Sequence, residues 1–465
     1  MSHLTEKLSF YPYRIFNEDS GSYLYSLNNN KIFEIDEKVE KLLNQEGKDF
    51  EQAYNSVADV FTEHEFSEVI SQMEEAFFIK NAEADLKMEK AYTKEMPDSI
   101  SSITLMIVQE CNMRCSYCYG EAGEYHDRGK MKFSTAQKAI DFLLANSQTK
   151  ELSICLFGGE PLLNFNLFKQ VVAYCKEKEA ETDKIFRFTT TTNGTLINEE
   201  IERFFTENKI TVQISLDGDR ETHDRNRYFQ NRIGSYDMIL ENTKNMRENS
   251  AISCRATITK KGFDLVSSFE HLYDLNFRAI PMSPAYNLLK DEDYPELTEE
   301  YNRLIDHYEQ LIKKGDRDRY SKLSIFTGFM RKIHQGSTRA LPCGVGWNMY
   351  AIDINGDIYP CHRFVSNKEY VLGNINTKAE RRDSFLEEIN VSNHKQCDDC
   401  WARNLCIGGC PNENLNLTGS VTEMSEPVCE LTKNIFERLI RLYIRLTPEE
   451  KERFFNPKQA TVISS

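Results

Sequence analysis

The order of apolar runs predicts an α/β protein built on a partial (β/α)6 TIM-type barrel, with a small module before it and a cysteine-rich region after it. Three observations carry this. From about residue 100 to 285, short β-rich runs alternate with amphipathic helical stretches, the pattern of parallel βα units. The first 95 residues contain no cysteine and read as strands followed by helices. Seven of the thirteen cysteines lie beyond residue 340.

At 465 residues and 40% hydrophobic, the chain can bury cores in several domains. A net charge of −16 argues against nucleic acid or an anionic membrane as partner, since both call for basic patches. No apolar run approaches about 18 residues and no signal-peptide pattern opens the chain, so a cytoplasmic location is expected. An odd number of cysteines in such a chain reads as metal ligands and core thiols, not a disulfide framework.

In the N-terminal module, Phe10 to Phe16, Tyr23 to Leu27 and Lys31 to Ile35 read as short strands, with Asn28-Asn29-Asn30 turning between the last two. Ile35, Val39, Leu42 and Leu43 share a helical face. Thr62-x-x-Glu65 is a capping box opening a helix with Phe66, Ile70, Met73 and Phe77 on one side. Three strands followed by helices resembles the winged-helix-like peptide-recognition element of enzymes that modify ribosomally made peptides. A generic accessory domain is the alternative.

Six barrel strands are expected at Ile103–Val108, Leu152–Phe157, Ile185–Thr191, Val212–Leu216, Ile252–Ile258 and Phe277–Pro281. Helices are expected at Ser134–Ala145, with a Ser134-x-x-Gln137 capping box, and at Asn166–Lys178. In barrels of this kind chemistry collects at the C-terminal ends of strands. Four polar or glycine-rich clusters directly follow the first four strands: Cys111/Cys115/Cys118, Gly158-Gly159-Glu160-Pro161, Thr192-Asn193-Gly194 and Ser215-Leu216-Asp217-Gly218.

Cys111, Cys115 and Cys118 form C-x3-C-x2-C. Three thiolates hold a four-iron cluster by three irons and leave the fourth open, whereas structural zinc wants four closed ligands. The spacing, with Tyr117 before the last cysteine, resembles the signature of the radical S-adenosylmethionine (SAM) enzymes over roughly 190 residues. That resemblance implies SAM chelated at the open iron, its one-electron reduction to a 5′-deoxyadenosyl radical, and an external one-electron reductant such as a flavodoxin or ferredoxin. Gly158 and Gly159 would let backbone approach the ligand, and Glu160 would accept from its ammonium group. Asn193, Ser215 and Asp217 stand at neighbouring strand ends. Arg227 is placed to meet the carboxylate, with a surface ion pair as the alternative, and Tyr117 to flank adenine.

Cys343, Gly356-x4-Cys361, Cys397-x2-Cys400-x5-Cys406-x3-Cys410 and Cys429 resemble the SPASM domain, with zinc knuckles as the alternative. The resemblance implies two auxiliary [4Fe-4S] clusters, making three in all. Cys397, Cys400, Cys406 and Cys429 would hold the outer one, and Cys343, Cys361 and Cys410 the inner one. Seven thiols leave one inner position for a substrate thiolate; His362 is the competing fourth ligand. Cys155, Cys175 and Cys254 read as core residues. The expected division is a recognition element at 1–95, a barrel at 96–300, a bridge at 301–340 and a SPASM domain at 341–465. Together these resemblances imply an oxidoreductase that binds the leader of a ribosomally synthesised precursor peptide and joins cysteine sulfur to carbon, most like the sactipeptide and ranthipeptide maturases. The alternatives are a sulfatase-maturing enzyme that makes formylglycine, a maturase forming carbon–carbon links or epimers, and a zinc-binding interaction protein.

Overall fold

One parallel strand of the central sheet, Ser102–Gln109, is buried on both faces and reads as a nearly unbroken apolar run, while its parallel neighbours alternate buried and partly exposed positions. The computed structural model describes residues 7–456 apart from 29, 77, 81–98, 261–262, 337–339 and 366. The expected turn at Asn29, the apolar position Phe77 and the 95/96 boundary lie outside the described residues.

The N-terminal module is an antiparallel sheet of β1 (Tyr13–Glu18), β2 (Gly21–Ser26) and β3 (Lys31–Ile35), followed by α1 (Glu37–Leu43), α2 (Phe50–Val57) and α3 (Glu63–Glu75). Thr62 and Glu65 close the reciprocal capping box at the start of α3. Leu8, Phe10, Leu42, Ala53, Val57, Phe66 and Ile70 make a core separate from that of the barrel. The first strand starts later than expected, at Tyr13.

Among the described residues the large sheet contains ten strands. Its parallel run is β4 (Ser102–Gln109), β6 (Glu151–Gly158), β7 (Ile185–Thr192), β8 (Thr211–Ser215), β9 (Ser253–Ile258) and β10 (Met282–Pro284), each beside the next, and the sheet does not close. This is the partial six-stranded barrel. The short β5 (Gly129–Lys130) pairs antiparallel with β4. On the other side of β4 lies β11 (Met349–Ile352), also parallel, which turns back through β12 (Asp357–Tyr359) and β13 (Gly373–Asn374).

Helices α4 (Phe133–Ala145), α5 (Phe165–Glu181), α6 (Glu199–Glu207) and α7 (Arg220–Asn226) connect the early strands. Then α8 (Leu265–Asp274), α9 (Tyr294–Lys314), α10 (Ser324–Gln335), α11 (Pro411–Thr418) and α12 (Glu426–Arg445) complete the layers that concern the site. Three expectations shift. The sixth strand is Met282–Pro284, not Phe277–Pro281, although the expected run already bonds the β9 side: the Arg278 N–H donates to the Ile252 carbonyl, and the Ala279 and Pro281 carbonyls accept from the Cys254 and Ala256 N–H groups. The capping box at Ser134 does not form, because α4 starts at Phe133 with Lys132 as its uncapped N-cap. The boundary at 300/301 falls inside the continuous helix α9. Among the described residues no helix is long and apolar enough to cross a membrane.

The N-terminal module packs on the cysteine-rich region. Trp401, which follows Cys400, meets the rings of Phe16 and Tyr25 edge-on at 6.2 and 6.1 Å, with the Arg14 guanidinium 4.6 Å from its ring centre. Arg14 pairs with Glu437, while Arg441 and Arg445 both reach Glu18. Asn404 Nδ2 donates to the Leu27 carbonyl at 2.8 Å.

Candidate active site

The C-terminal ends of β4, β6, β7 and β8 carry the four sequence clusters, as the strand register requires. The loop after β4 brings Cys111, Cys115 and Cys118 within range of one another's charge. Burial lifts the Cys111 thiol to about 12 and also raises Cys115, for which the Arg227 guanidinium is the main offset. Thiols raised in this way, as Cys111 and Cys115 are, ionise when a metal supplies positive charge.

Gly158 and Gly159 are needed for close approach, but of the chain to itself. A Cβ at Gly158 would stand 2.0 Å from the Val108 carbonyl oxygen, and one at Gly159 2.2 Å from that of Glu110. Gly123 closes the same junction, its Cβ position lying 2.6 Å from Cys111 Cβ. Glu160 is fully buried and accepts from the Leu162 and Asn193 N–H groups at 3.1 and 2.7 Å and from the Thr192 hydroxyl at 2.7 Å. Burial raises its pKa against these donors.

Other expected ligand contacts are turned inward. The Asn193 amide donates to Asn112 Oδ1 at 2.9 Å and accepts from Thr195, so it ties the end of β7 to the cysteine loop. Asp217 accepts from the Tyr117 hydroxyl at 2.8 Å and from the Thr257 N–H at 3.0 Å. Arg227 is a buried residue, not a surface ion pair; its Nη1 donates to that same hydroxyl at 2.7 Å, while its Nε has no partner among the described residues. Tyr117 thus anchors its phenol between Asp217 and Arg227. Burial pushes Asp217 up to about 6, with Arg227 the chief opposing influence. Ser215 ends β8 half-buried. Asn112 and Thr195 carry no sequence signal beyond the position of Asn112 between two ligand cysteines, and Thr192 is marked only as part of the Thr192-Asn193-Gly194 cluster.

The C-terminal cysteines fall into two sets. Cys361 feels the charges of Cys410 and Cys343, and Cys406 those of Cys397, Cys429 and Cys400. Cys361 follows β12, Cys410 caps α11, and Cys429 lies in the first turn of α12. The His362 ring packs 4.7 Å from Phe157 at the end of β6 and 6.2 Å from Tyr119, facing the barrel mouth. Burial and then Arg363 push its pKa down to about 4, so it is neutral at physiological pH. Among the described residues no three His, Cys, Asp or Glu side chains converge on a single ion. A cubane does not require that, because each thiolate takes a different iron. Cys175 and Cys254 are buried in the core, and Cys155 is half-buried between Thr104 and Thr189.

Three thiols without a fourth, a buried guanidinium with an orphaned Nε and a carboxylate at the next strand end fit a cluster with a zwitterionic ligand. Cys111, Cys115 and Cys118 would hold the cluster, with Arg227 and Glu160 beside the ligand. This donor set suits an iron–sulfur cluster with one iron left open to a ligand. The family model of the radical SAM superfamily matches residues 105–263, and that of the SPASM iron–sulfur cluster-binding domain matches residues 343–401. The chain belongs to the radical SAM superfamily and carries a SPASM domain. Its cofactors are SAM, a [4Fe-4S] cluster in the barrel and auxiliary iron–sulfur clusters in the SPASM domain. When bound, SAM and its cluster supply one-electron cleavage to methionine and a 5′-deoxyadenosyl radical.

Among relatives, the radical SAM cyclopropyl synthase TigE of Paramaledivibacter caminithermalis is 24% identical over 470 residues, covering 93% of this chain and 95% of its own. A cysteine-type anaerobic sulfatase-maturating enzyme of Clostridium novyi is 27% identical over 366 residues, covering 74% and 96%. Among solved structures, Streptococcus suis SuiB bound to its precursor peptide SuiA superposes with a TM-score of 0.51 at 16% identity, covering 91% of this chain and all of that one.

Proposed function

We propose that this protein matures a ribosomally synthesised precursor peptide, joining cysteine sulfur to a carbon of another residue. The observation that carries the reading is the three-thiol inner set, Cys343, Cys361 and Cys410. One member, Cys361, follows β12 of the sheet whose β4 leads into the radical-generating triplet, and β11 lies directly on β4. Three thiolates leave one cluster position for a ligand from outside, and a cysteine of the substrate has the right chemistry. His362 is turned toward Phe157 and Tyr119, which supports leaving that position to the substrate. Cys397, Cys400, Cys406 and Cys429 would hold the outer cluster, which passes electrons to an external acceptor. Reduction of the SAM cluster takes an external one-electron donor.

Strand β3 pairs only with β2 among the described residues, and its Lys31 and Glu34 are exposed. A leader peptide would add as a further strand there, its backbone supplying affinity and side-chain pockets selecting sequence. SuiB, whose solved complex holds a precursor peptide, matches this chain across nearly its whole length. The sulfatase-maturating relative instead leaves about a quarter of the chain unmatched. A second reading, carbon–carbon bond formation, is favoured by the near full-length similarity to a cyclopropyl synthase.

The test is anaerobic incubation of the reconstituted enzyme, SAM and dithionite with the short cysteine-containing peptide encoded beside the gene. A thioether removes two hydrogens and makes the cysteine inert to iodoacetamide. Loss of two hydrogens with the thiol still alkylatable would assign carbon–carbon linkage. A hydrazide-reactive aldehyde would assign formylglycine formation.

A further inference from the structure

Arg255 sits on β9 level with Ser215 of β8 and is exposed, between the buried side chains of Cys254 and Ala256. Its guanidinium makes no ion pair or hydrogen bond with a described residue. The groups that act on it most are Arg363, Tyr119, Tyr301 and Tyr117, with no carboxylate and no thiol among them. These residues lie between the radical-generating triplet and the inner cysteine set: Tyr117 and Tyr119 flank Cys118, and Arg363 follows Cys361 by two residues.

The other cations around this space are already matched. Arg363 pairs with Glu413 at 2.5 Å and feels Cys410 and Cys361. Arg227 bonds Tyr117 and feels Cys115 and Asp217. Arg255 alone of the three has neither a carboxylate nor a thiol among the groups that act on it most. An arginine cannot shed its proton to relieve that situation, and its planar fork is shaped for a carboxylate. Charge-assisted pairs of this kind are the stronger hydrogen bonds.

We propose that Arg255 grips the side-chain carboxylate of an Asp or Glu in the substrate peptide and so presents that acidic residue at the barrel mouth. This rests on the peptide-maturase reading and narrows it: the substrate carries an acidic residue that docks beside the radical source. The three tyrosines supply the walls against which its methylene groups pack.

The experiment uses the reconstituted holoenzyme with SAM, dithionite and millimolar N-acetyl-aspartic acid amide or N-acetyl-asparagine amide, each deuterated on its carbons. The readout is the fraction of 5′-deoxyadenosine that carries deuterium, with SAM affinity measured separately by equilibrium dialysis. The acidic probe is expected to label at least tenfold more product than its amide twin. Arg255→Gln is expected to reduce that fraction at least tenfold, and Arg255→Lys to restore part of it. Equal labelling by both probes, labelling by neither, or an unchanged fraction in Arg255→Gln would overturn the assignment. So would a loss of SAM affinity in Arg255→Gln, which would give the guanidinium to the cofactor's own carboxylate. Absence of 5′-deoxyadenosine from the wild type would instead remove the enzymatic reading on which the inference stands.

Discussion

Replacing Trp401 by alanine should loosen the N-terminal module without melting the barrel. Trp401 makes two edge-to-face aromatic contacts, with Phe16 and Tyr25, and carries the Arg14 guanidinium over its ring. Each aromatic pair is worth about 0.5–1.5 kcal/mol beyond area burial, and a partly exposed cation–π contact about 0.5–1 kcal/mol. Together these give about 1.5–4 kcal/mol of docking free energy, or about tenfold to several-hundredfold in the equilibrium between docked and released module. The Arg14–Glu437 and Glu18–Arg441 pairs are half-exposed and add little in comparison. Hydrogen exchange of β1 and β2 amides reads this equilibrium, with β6 and β7 amides as the internal reference. Arg14→Ala, which leaves the neighbour of Cys400 untouched, should show a smaller change in the same amides. Protection of β1 and β2 unchanged within twofold in Trp401→Ala would refute the reasoning.

Gly159→Ala sets a Cβ against two backbone oxygens that cannot rotate away, Glu110 at 2.2 Å and Gly123 at 2.7 Å. A cost of about 1–3 kcal/mol falls on the triplet loop, and iron analysis should drop from about twelve to about eight per chain. Cys343→Ala should also leave about eight irons, yet retain 5′-deoxyadenosine formation while losing peptide cross-links by mass spectrometry. Asp217 sits at about 6, above the ordinary value of 3.8, so its protonated form favours folding. That contribution is complete below about pH 4 and is lost as pH rises through 6. Denaturant midpoints of the apoprotein should therefore vary less between pH 4 and 7 in Asp217→Asn than in the wild type.

The first barrel strand is legible because it is buried on both faces, and its parallel neighbours because buried and partly exposed positions alternate along them. Ile103 to Val108 is an unbroken run in sequence and every side chain in it is buried in the fold. The cysteine spacings were legible because ligand geometry is written locally. The roles of Asn193 and Asp217 were not, since their partners Asn112 and Thr257 lie 81 and 40 residues away. A strand-end polar residue looks the same whether it faces a ligand or ties two loops together. The glycine pair was read as a cradle for a ligand, and only the Val108 and Glu110 carbonyls show what fills it. Arg255 belongs to no motif, and its isolation from carboxylates is a tertiary fact.

The hairpin of β11 and β12 is laid directly on β4, with Ala351 in register with Thr104. Cys111 follows the end of β4 by two residues and Cys361 follows β12 by the same number. One continuous hydrogen-bonded ladder therefore fixes the spacing between the place where a radical is made and the place where sulfur would be held. Such a device cannot adjust its jaws to a longer or shorter loop in its substrate. Under the proposed thioether chemistry the reach of each cross-link would be a constant of the enzyme, and successive links in one peptide would require the peptide itself to advance.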